Sequence, residues 1–361
     1  MALNIDKHMA EEVLRSAYDN RKLLKDITAS KISDVLQGSH KTYRYVLITS
    51  LLAKSTDEDA DVFSLQAQDD SIGAYDARSL CHKVIVPFER DILPNGLGGS
   101  NEPYLNKPAR FPRIADTNAV RKGNDTIALH KLIQALNAIS NSSQAKKYLC
   151  HAVAVMEENH KLYESQFQFE PLDTDVPDSI QNIMDYLSTL LDKSCEGEVC
   201  PIAIATVEQL FLGNLYKVVP HKVNECGASS KEIGDIDIYD SENEIFMSIE
   251  VKDKIFTKED VEHAIIKFHS GRVKNSMFIY GKKVSLPSDS TSLFQLLGRF
   301  GRMGYFCSII CVIDYLRIRL LSVPELSLSS FVNLMLQQAK VINATHETIL
   351  WIKEAANEQG L

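Results

Sequence analysis

The chain has 361 residues, of which 45% are hydrophobic and 24% are charged, and its formal net charge is −9 at pH 7. This composition is typical of a globular protein with one large core or two, and the net acidity excludes a protein that coats nucleic acid indiscriminately. No apolar stretch approaches the roughly 20 residues of a membrane helix, and the amphipathic start differs from a signal peptide. The seven scattered cysteines, an odd number, fit free thiols, so we expect a cytoplasmic protein without a membrane partner.

Helical patterns dominate the first half of the chain. Helices are predicted over residues 6–27, 42–52, 76–86, 125–139 and 144–167. The two prolines and three acids of residues 170–177 interrupt any regular element and predict a boundary there. We therefore expect a mostly helical N-terminal region over residues 1–175.

An irregular tract rich in Gly, Pro and Asn follows the third predicted helix, and long loops of this kind are often functional. Residues 105–122 carry one acid, Asp116, and five basic residues: Lys107, Arg110, Arg113, Arg121 and Lys122. The third helix and the tract supply residue types that read base edges or hold phosphates, namely Arg78, Asn101, Asn106, Lys107 and Arg110. A surface loop with ordinary capping and solvating residues explains the composition equally well, so composition alone leaves both interpretations open.

The second half of the chain alternates helices and strands. The predicted elements are helices 179–191 and 203–216, strand 217–223, two strands within 233–254, helix 258–269, strand 276–280, helix 292–303, strand 306–313, and helices 326–339 and 344–356. This order predicts a core that contains a sheet over residues 176–325. The last two helices, within residues 326–361, are expected to pack on that core.

The two strands within 233–254 form the most informative stretch. They flank the polar segment 240–244, which has the composition of a turn, so the pattern predicts a β-hairpin. Because side chains alternate along a strand, Asp235 and Asp237 share one face of the first strand, and Glu250 and Lys252 share one face of the second. Three acids and a lysine are therefore expected to meet on one surface.

Such a surface is costly without a partner, because adjacent carboxylates repel one another. A divalent cation removes the conflict, and carboxylate oxygens suit Mg²⁺ or Mn²⁺, which retain several waters. A neighbouring ammonium group stabilises a deprotonated water or the charge that develops on a phosphate. The alternative is a hairpin at the edge of a sheet, with a charged solvent face and nothing bound.

The hairpin resembles the PD-(D/E)xK nuclease superfamily, whose motif is an Asp at the end of one strand followed by Glu-x-Lys on the next. The matching residues are Asp235 or Asp237, followed by Glu250-Val251-Lys252. The intervals are 250 − 235 = 15 and 250 − 237 = 13 residues, and either suits a hairpin. The predicted order α-β-β-β-α-β is also the core order of that superfamily. We therefore predict the α/β (α+β) class, with a restriction-endonuclease-like core and a mostly helical N-terminal region.

The resemblance implies a Mg²⁺ site, in which Mn²⁺ can substitute. Asp235, Glu250 and Lys252 would be the catalytic residues, with Lys252 activating the attacking water. The implied metal ligands are Asp235, Asp237, Glu250, the Val251 carbonyl and an additional acid on the preceding helix, Glu208. Gly234 favours Asp235 over Asp237 as the principal ligand, because a small residue lets the backbone approach a ligand closely.

A second resemblance involves the N-terminal half. Residues 75–80 (YDARSL) and the loop 106–110 (NKPAR) look like the DNA-contacting half of type II restriction endonucleases similar to SacI. This implies a sequence-specific endodeoxyribonuclease that acts on double-stranded DNA as a homodimer and leaves a 5′-phosphate. The alternatives are a repair or junction nuclease that recognises DNA shape and a non-catalytic DNA-binding protein on a nuclease core. The large N-terminal region favours an enzyme that recognises a DNA sequence, because recognition of DNA shape needs less additional structure.

Overall fold

The computed structural model describes residues 2–120, 123–169, 179–221, 232–323 and 326–359. The chain forms two compact units, an N-terminal unit (Met1–Ser165) and a C-terminal unit (Gln166–Leu361). The predicted boundary at 170–177 lies outside the described residues, as do Arg121 and Lys122 of the basic segment and the end of the predicted strand 217–223.

The N-terminal unit is helical, as predicted. Its helices are α1 (Lys7–Asp19), α2 (Ile27–Leu36), α3 (Lys41–Thr56), α4 (Ala77–Leu80), α5 (Val86–Ile92), α6 (Asp125–Leu136) and α7 (Ser142–Ser165). Helix α3 is buried along most of its length, and α1, α2, α6 and α7 pack around it. A single turn of π-helix, Cys81–Ile85, joins α4 to α5.

The prediction of one helix over residues 6–27 is wrong, because the chain leaves the helix after Asp19. The guanidinium of Arg21 donates to the Tyr18 carbonyl and forms an ion pair with Glu157 of α7 at 2.8 Å. The side chain of Asp26 then accepts a hydrogen bond from the Ala29 amide and caps a new helix, α2. A contact with a distant part of the chain thus overrides the local periodicity.

The irregular tract of the N-terminal unit is ordered by a buried acid on α5. Glu89 is 2% exposed, and its carboxylate accepts hydrogen bonds from the amides of Leu97 (2.8 Å) and Gly99 (3.0 Å). Tyr45 donates to the same carboxylate and accepts a hydrogen bond from the Ser100 amide at 2.6 Å. Short 3₁₀ turns follow at Pro103–Leu105, Lys107–Arg110 and Asp116–Asn118.

The C-terminal unit contains one sheet of five strands, in the order β1-β2-β3-β4-β5. The strands are β1 (Lys217–Pro220), β2 (Ile236–Tyr239), β3 (Ile245–Lys252), β4 (Asn275–Tyr280) and β5 (Phe306–Cys311). β2 runs antiparallel to both of its neighbours, β1 and β3, whereas β4 and β5 run parallel to β3. Asp240 accepts hydrogen bonds from the amides of Glu242 and Glu244 and so closes the predicted turn of the β2–β3 hairpin.

Helices cover this sheet and extend beyond it. They are α8 (Ile180–Leu190), α9 (Val199–Leu212), α10 (Lys258–Ser270), α11 (Ser290–Arg302), α12 (Val312–Leu320), α13 (Leu328–Val341) and α14 (His346–Asn357). The order α9-β1-β2-β3-α10-β4 confirms the predicted αβββαβ core, and the two units together confirm the α+β class. None of the helices in the described ranges is long and apolar enough to cross a membrane.

One helix of the C-terminal unit was not predicted. The last strand was expected to run to residue 313, but it ends at Cys311 and α12 begins directly at Val312. The sequence VIDYLRIRL is rich in β-branched residues, which favours a strand locally. Asp314 in the first turn of α12, and Arg317 and Arg319 in its last turn, instead complement the helix dipole.

Candidate active site

A cleft of about 530 Å³ lies beside the end of β3 in the C-terminal unit. Asp235, Glu250, Val251 and Lys252 line it together with Pro201 of α9. The structure therefore brings one aspartate, the glutamate and the lysine of the predicted motif to one open, polar site. Their roles in catalysis stay a prediction.

Asp235 is fixed by the backbone of the neighbouring strand. Its amide donates to the Ile249 carbonyl at 2.9 Å, and its carboxylate accepts a hydrogen bond from the Val251 amide at 2.7 Å. A Cβ on Gly234 would lie 2.6 Å from the Ile249 carbonyl oxygen, which only glycine tolerates. The close approach that Gly234 permits is thus to the backbone of β3, which sets Asp235 opposite Glu250.

Glu250 is an under-satisfied acid in a partly buried position. Its Oε2 is buried and accepts no hydrogen bond from the described residues, and the ammonium of Lys267 on α10 lies 3.6 Å away. Burial and the charge of Asp235 raise the pKa of Glu250 to about 7, and burial also raises the pKa of Asp235. The fold therefore holds two carboxylates together at a cost that a bound cation would remove.

Lys252 is held by a residue that the sequence analysis missed. Its Nζ donates to Asp260 Oδ1 at 3.1 Å, while Asp260 Oδ2 accepts a hydrogen bond from the Thr257 amide at 2.8 Å. Thr257 and Asp260 form a capping box at the start of α10. The Thr-x-x-Asp pattern indicates a helix start in the sequence and could have identified Asp260. The seven-residue interval from Asp260 to Lys267 places both residues on one face of the helix.

Asp237 faces the same side of the hairpin but does not line the cleft. It is fully buried opposite Ser248, whose hydroxyl donates to it at 2.6 Å, and the amides of Ile233 and Gly234 donate at 3.0 Å each. His221 Nε2 lies 2.9 Å from Asp237 Oδ2, the oxygen that also accepts the hydrogen bond from the Ile233 amide. Burial raises the pKa of Asp237, but these donors outweigh it and hold the pKa below its ordinary value. Both oxygens of the Asp237 carboxylate thus have hydrogen-bond partners within the protein.

Glu208 is not brought to the cleft, which corrects the expectation that it supports the metal site. It is fully buried between α9 and α12, where Tyr315 donates to it at 2.6 Å and Arg319 forms an ion pair with it at 2.7 Å. This pairing fits a role in helix packing, because an ionised carboxylate is buried only with partners.

Replacing Asp237 with Asn is expected to lower the free energy of unfolding by about 1–3 kcal/mol, because an amide nitrogen would face donors that now meet a carboxylate. The folded state depresses this pKa, so the contribution is present above the ordinary pKa of 3.8 and is lost as the pH falls below it. Chemical denaturation at pH 7 measures the difference. An unchanged midpoint would show that the buried network is not stabilising.

The metal-free protein is expected to lose stability as the pH rises from about 4.5 to about 7, because the folded state raises the pKa of Glu250 across that interval. Glu250→Gln removes the penalty and should stabilise the protein by about 1–3 kcal/mol at pH 8 but little at pH 4.5. Thermal unfolding in EDTA measures this, with Glu242→Gln in the exposed turn as the matched control. Equal shifts at both pH values would contradict the strained acid pair.

The five predicted DNA-binding residues lie in the N-terminal unit and are exposed. Arg78 and Arg110 line one groove of about 520 Å³ there, and Arg78 also pairs with Glu102 at 3.5 Å. Asn106 donates to the Pro103 carbonyl and caps a turn, whereas Asn101 and Lys107 lie outside the groove lining. Arg113 of the basic segment is neutralised by Asp61 and Asp69, so it contributes little positive potential.

The donor set at the cleft suits a hard cation. Within the described ranges, no three His, Cys, Asp or Glu side chains come together as a ready-made metal cage. Two carboxylates, Asp235 and Glu250, with the Val251 carbonyl nearby, instead match the way Mg²⁺ is bound, through one or two carboxylates, waters and substrate phosphates. The buried Glu250 Oε2, which accepts no hydrogen bond from the described residues, is the specific observation that such an ion would explain.

Comparison with known proteins places both units in one class, the restriction endonucleases. The family model of the SacI restriction endonuclease N-terminal domain matches residues 5–160, and that of the SacI restriction endonuclease C-terminal domain matches residues 177–282. A segment of 115 residues is 35% identical to the type II restriction enzyme SacI of Streptomyces achromogenes, and it covers 30% of this chain and 31% of that relative. The chain belongs to the family of SacI-like type II restriction endonucleases, which confirms the predicted resemblance to enzymes similar to SacI.

Proposed function

We propose that the protein is a Mg²⁺-dependent, sequence-specific endodeoxyribonuclease that cuts double-stranded DNA. The observation that carries the proposal is the strained pair Asp235 and Glu250 beside Lys252 in an open cleft. Family membership supports the restriction activity, although the matched segment covers 31% of the SacI relative. The geometry of the cleft supports the proposed residues and the proposed Mg²⁺.

Asp235 and Glu250 would hold the ion, with the Val251 carbonyl completing the protein ligands. Bound Mg²⁺ would neutralise charge on the scissile phosphate and lower the pKa of a bound water. The Val251 amide keeps the Asp235 carboxylate oriented, so little reorganisation is needed when the ion enters. Glu250 Oε2 is free of protein hydrogen bonds among the described residues, so it can accept one from water or coordinate a cation.

Lys252 would orient the attacking water and stabilise the charge that develops on the phosphate. Asp260 restrains the flexible side chain of Lys252, which lines the cleft, through the 3.1 Å hydrogen bond to its ammonium. Lys267 adds a second ammonium beside Glu250 at 3.6 Å, which raises the positive potential where a phosphate would enter.

We further propose that the enzyme acts as a homodimer. A duplex has two antiparallel strands, and a two-fold symmetric dimer presents one identical active site to each of them. The N-terminal unit would read the sequence, because Arg78 and Arg110 line an exposed groove there.

Digestion of phage DNA by the purified protein, with Mg²⁺ or with EDTA, tests the proposed function. Discrete fragments that form only with Mg²⁺ are the expected result. Nicking confined to branched or damaged substrates would instead indicate a structure-specific nuclease. DNA that stays intact but shifts in a gel would indicate a non-catalytic binding protein on a nuclease core.

A further inference from the structure

The groove in the N-terminal unit contains a residue that neither the motif nor the basic segment pointed to. Gln68 lines it together with Arg78 and Arg110, and the volume is about 520 Å³. One side of the groove is the segment Leu65–Gln68, and another is the 3₁₀ turn Lys107–Arg110. A role of these residues in specificity rests on the proposed function.

The backbones that carry Gln68 and Arg110 are fastened to each other. The amides of Leu65 and Gln66 donate to the Pro112 carbonyl at 2.9 and 3.2 Å, and the Gln66 side chain donates to the Arg110 carbonyl at 2.7 Å. Arg113 pairs with Asp69 at 3.2 Å and adds a side-chain link between the same two segments. The groove is therefore preformed, which reduces the entropy lost when a ligand binds.

The tips of Gln68 and Arg110 are free, in contrast to this fastened backbone. Both side chains are exposed, and neither the Gln68 amide nor the Arg110 guanidinium has a hydrogen bond or ion pair to any residue in the described ranges. Two polar side chains held on rigid supports with unused hydrogen-bonding groups are poorly explained by stability. They are suited to a ligand with a matching pattern of donors and acceptors.

The edges of base pairs in the major groove carry such a pattern. Arginine donates two hydrogen bonds to O6 and N7 of guanine, and glutamine pairs in bidentate fashion with N6 and N7 of adenine. We infer that Gln68 and Arg110 are specificity-determining residues that read an adenine and a guanine in the major groove of the target. Lys107 is exposed on the same 3₁₀ turn but lies outside the groove lining, where its charge suits a phosphate.

The test begins with the wild-type protein and phage DNA, whose fragment ends define the recognition sequence. Binding is then measured in EDTA to a duplex of that sequence and to duplexes with each single base-pair change. Gln68→Ala should lose about tenfold to hundredfold discrimination at an A·T position, and Arg110→Ala should lose as much at a G·C position. Lys107→Ala is the matched control, because it should weaken binding to every duplex alike and lower the salt slope by about one.

The outcomes separate this inference from the proposed function. Gln68→Ala and Arg110→Ala could bind all duplexes with wild-type affinity, or could lose affinity for all of them equally, as Lys107→Ala does. Either outcome would show that these residues do not read bases, and it would leave the proposed nuclease activity unaffected. If the wild-type protein cuts no phage DNA with Mg²⁺, the proposed function itself is overturned. Unfolding midpoints that match the wild type show that each variant is folded, as expected for exposed side chains without partners.

Discussion

Lys252→Ala is expected to abolish DNA cleavage and to leave sequence-specific binding unchanged. The ammonium would act on the attacking water and on the charge of the transition state, so its loss should reduce the cleavage rate by at least about 10²–10³. Binding should persist because Lys252 lies in the C-terminal unit, whereas the proposed base-reading groove lies in the N-terminal unit. Single-turnover cleavage with Mg²⁺ and binding in EDTA measure the two effects separately.

Lys274→Ala is a matched control for this experiment. Lys274 is an exposed lysine immediately before β4, at the end of the sheet opposite to Lys252, because β3 and β4 run parallel. It should cut at the wild-type rate. Cleavage by Lys252→Ala at the rate of the control would remove Lys252 from the mechanism.

Asp235→Asn is expected to be inactive at any Mg²⁺ or Mn²⁺ concentration, because it removes the cleft-lining carboxylate that is proposed to bind the ion. The substitution keeps the shape of the side chain and an acceptor for the Val251 amide, so the fold should survive. Calorimetric titration of Mg²⁺ should show that ion binding is lost together with cleavage.

Asp237→Asn is the comparison variant, because the Asp237 carboxylate is buried and accepts its hydrogen bonds from other groups of the protein. We expect this variant to be less stable but to retain measurable cutting at high Mn²⁺. Loss of a group that only supports a ligand typically lowers metal affinity or activity 10- to 100-fold, and excess metal compensates for this loss. The reverse pattern, with Asp235→Asn rescued by Mn²⁺ and Asp237→Asn inactive, would show that Asp237 is the principal ligand.

The elements of the core followed from local patterns in the sequence. The alternation of residues around the turn 240–244 placed Asp235, Asp237, Glu250 and Lys252 on one face, and the observed register sets Asp237 opposite Ser248 on that face. A strand has a period of two, so this assignment needed no information from elsewhere in the chain. The helices next to the hairpin were predicted from their own period of 3.6 residues, which is equally local, whereas α12 was not predicted.

The alternation of residues alone did not distinguish the acids that reach the cleft from those that do not, because that depends on contacts between distant residues. His221 meets Asp237 from β1's end, 16 residues away in sequence. Glu208 is diverted by Tyr315, 107 residues away, into a helix interface. The break after α1 likewise depends on the pair Arg21 and Glu157, which are 136 residues apart. Periodicity and composition describe neighbouring residues only, so they do not predict contacts between residues far apart in the sequence.

Gly234 has a structural role that differs from the one expected from the sequence. In the sequence, the glycine favours Asp235 as the principal ligand because a small residue lets the backbone approach a ligand. In the structure it lets the chain approach the Ile249 backbone, and this contact sets Asp235 opposite Glu250. The residue thus acts on the site through the geometry of the hairpin.

The most direct test of the account is to sequence the ends of phage DNA fragments after digestion with Mg²⁺ by the wild type and by a variant that carries both Asp235→Asn and Glu250→Gln. The variant controls for a contaminating nuclease, because only the proposed metal ligands differ. We predict that all wild-type ends share one short sequence and carry 5′-phosphates, whereas the variant leaves the DNA intact. Ends scattered over unrelated sequences, or equal cutting by the variant, would contradict a sequence-specific nuclease centred on Asp235 and Glu250.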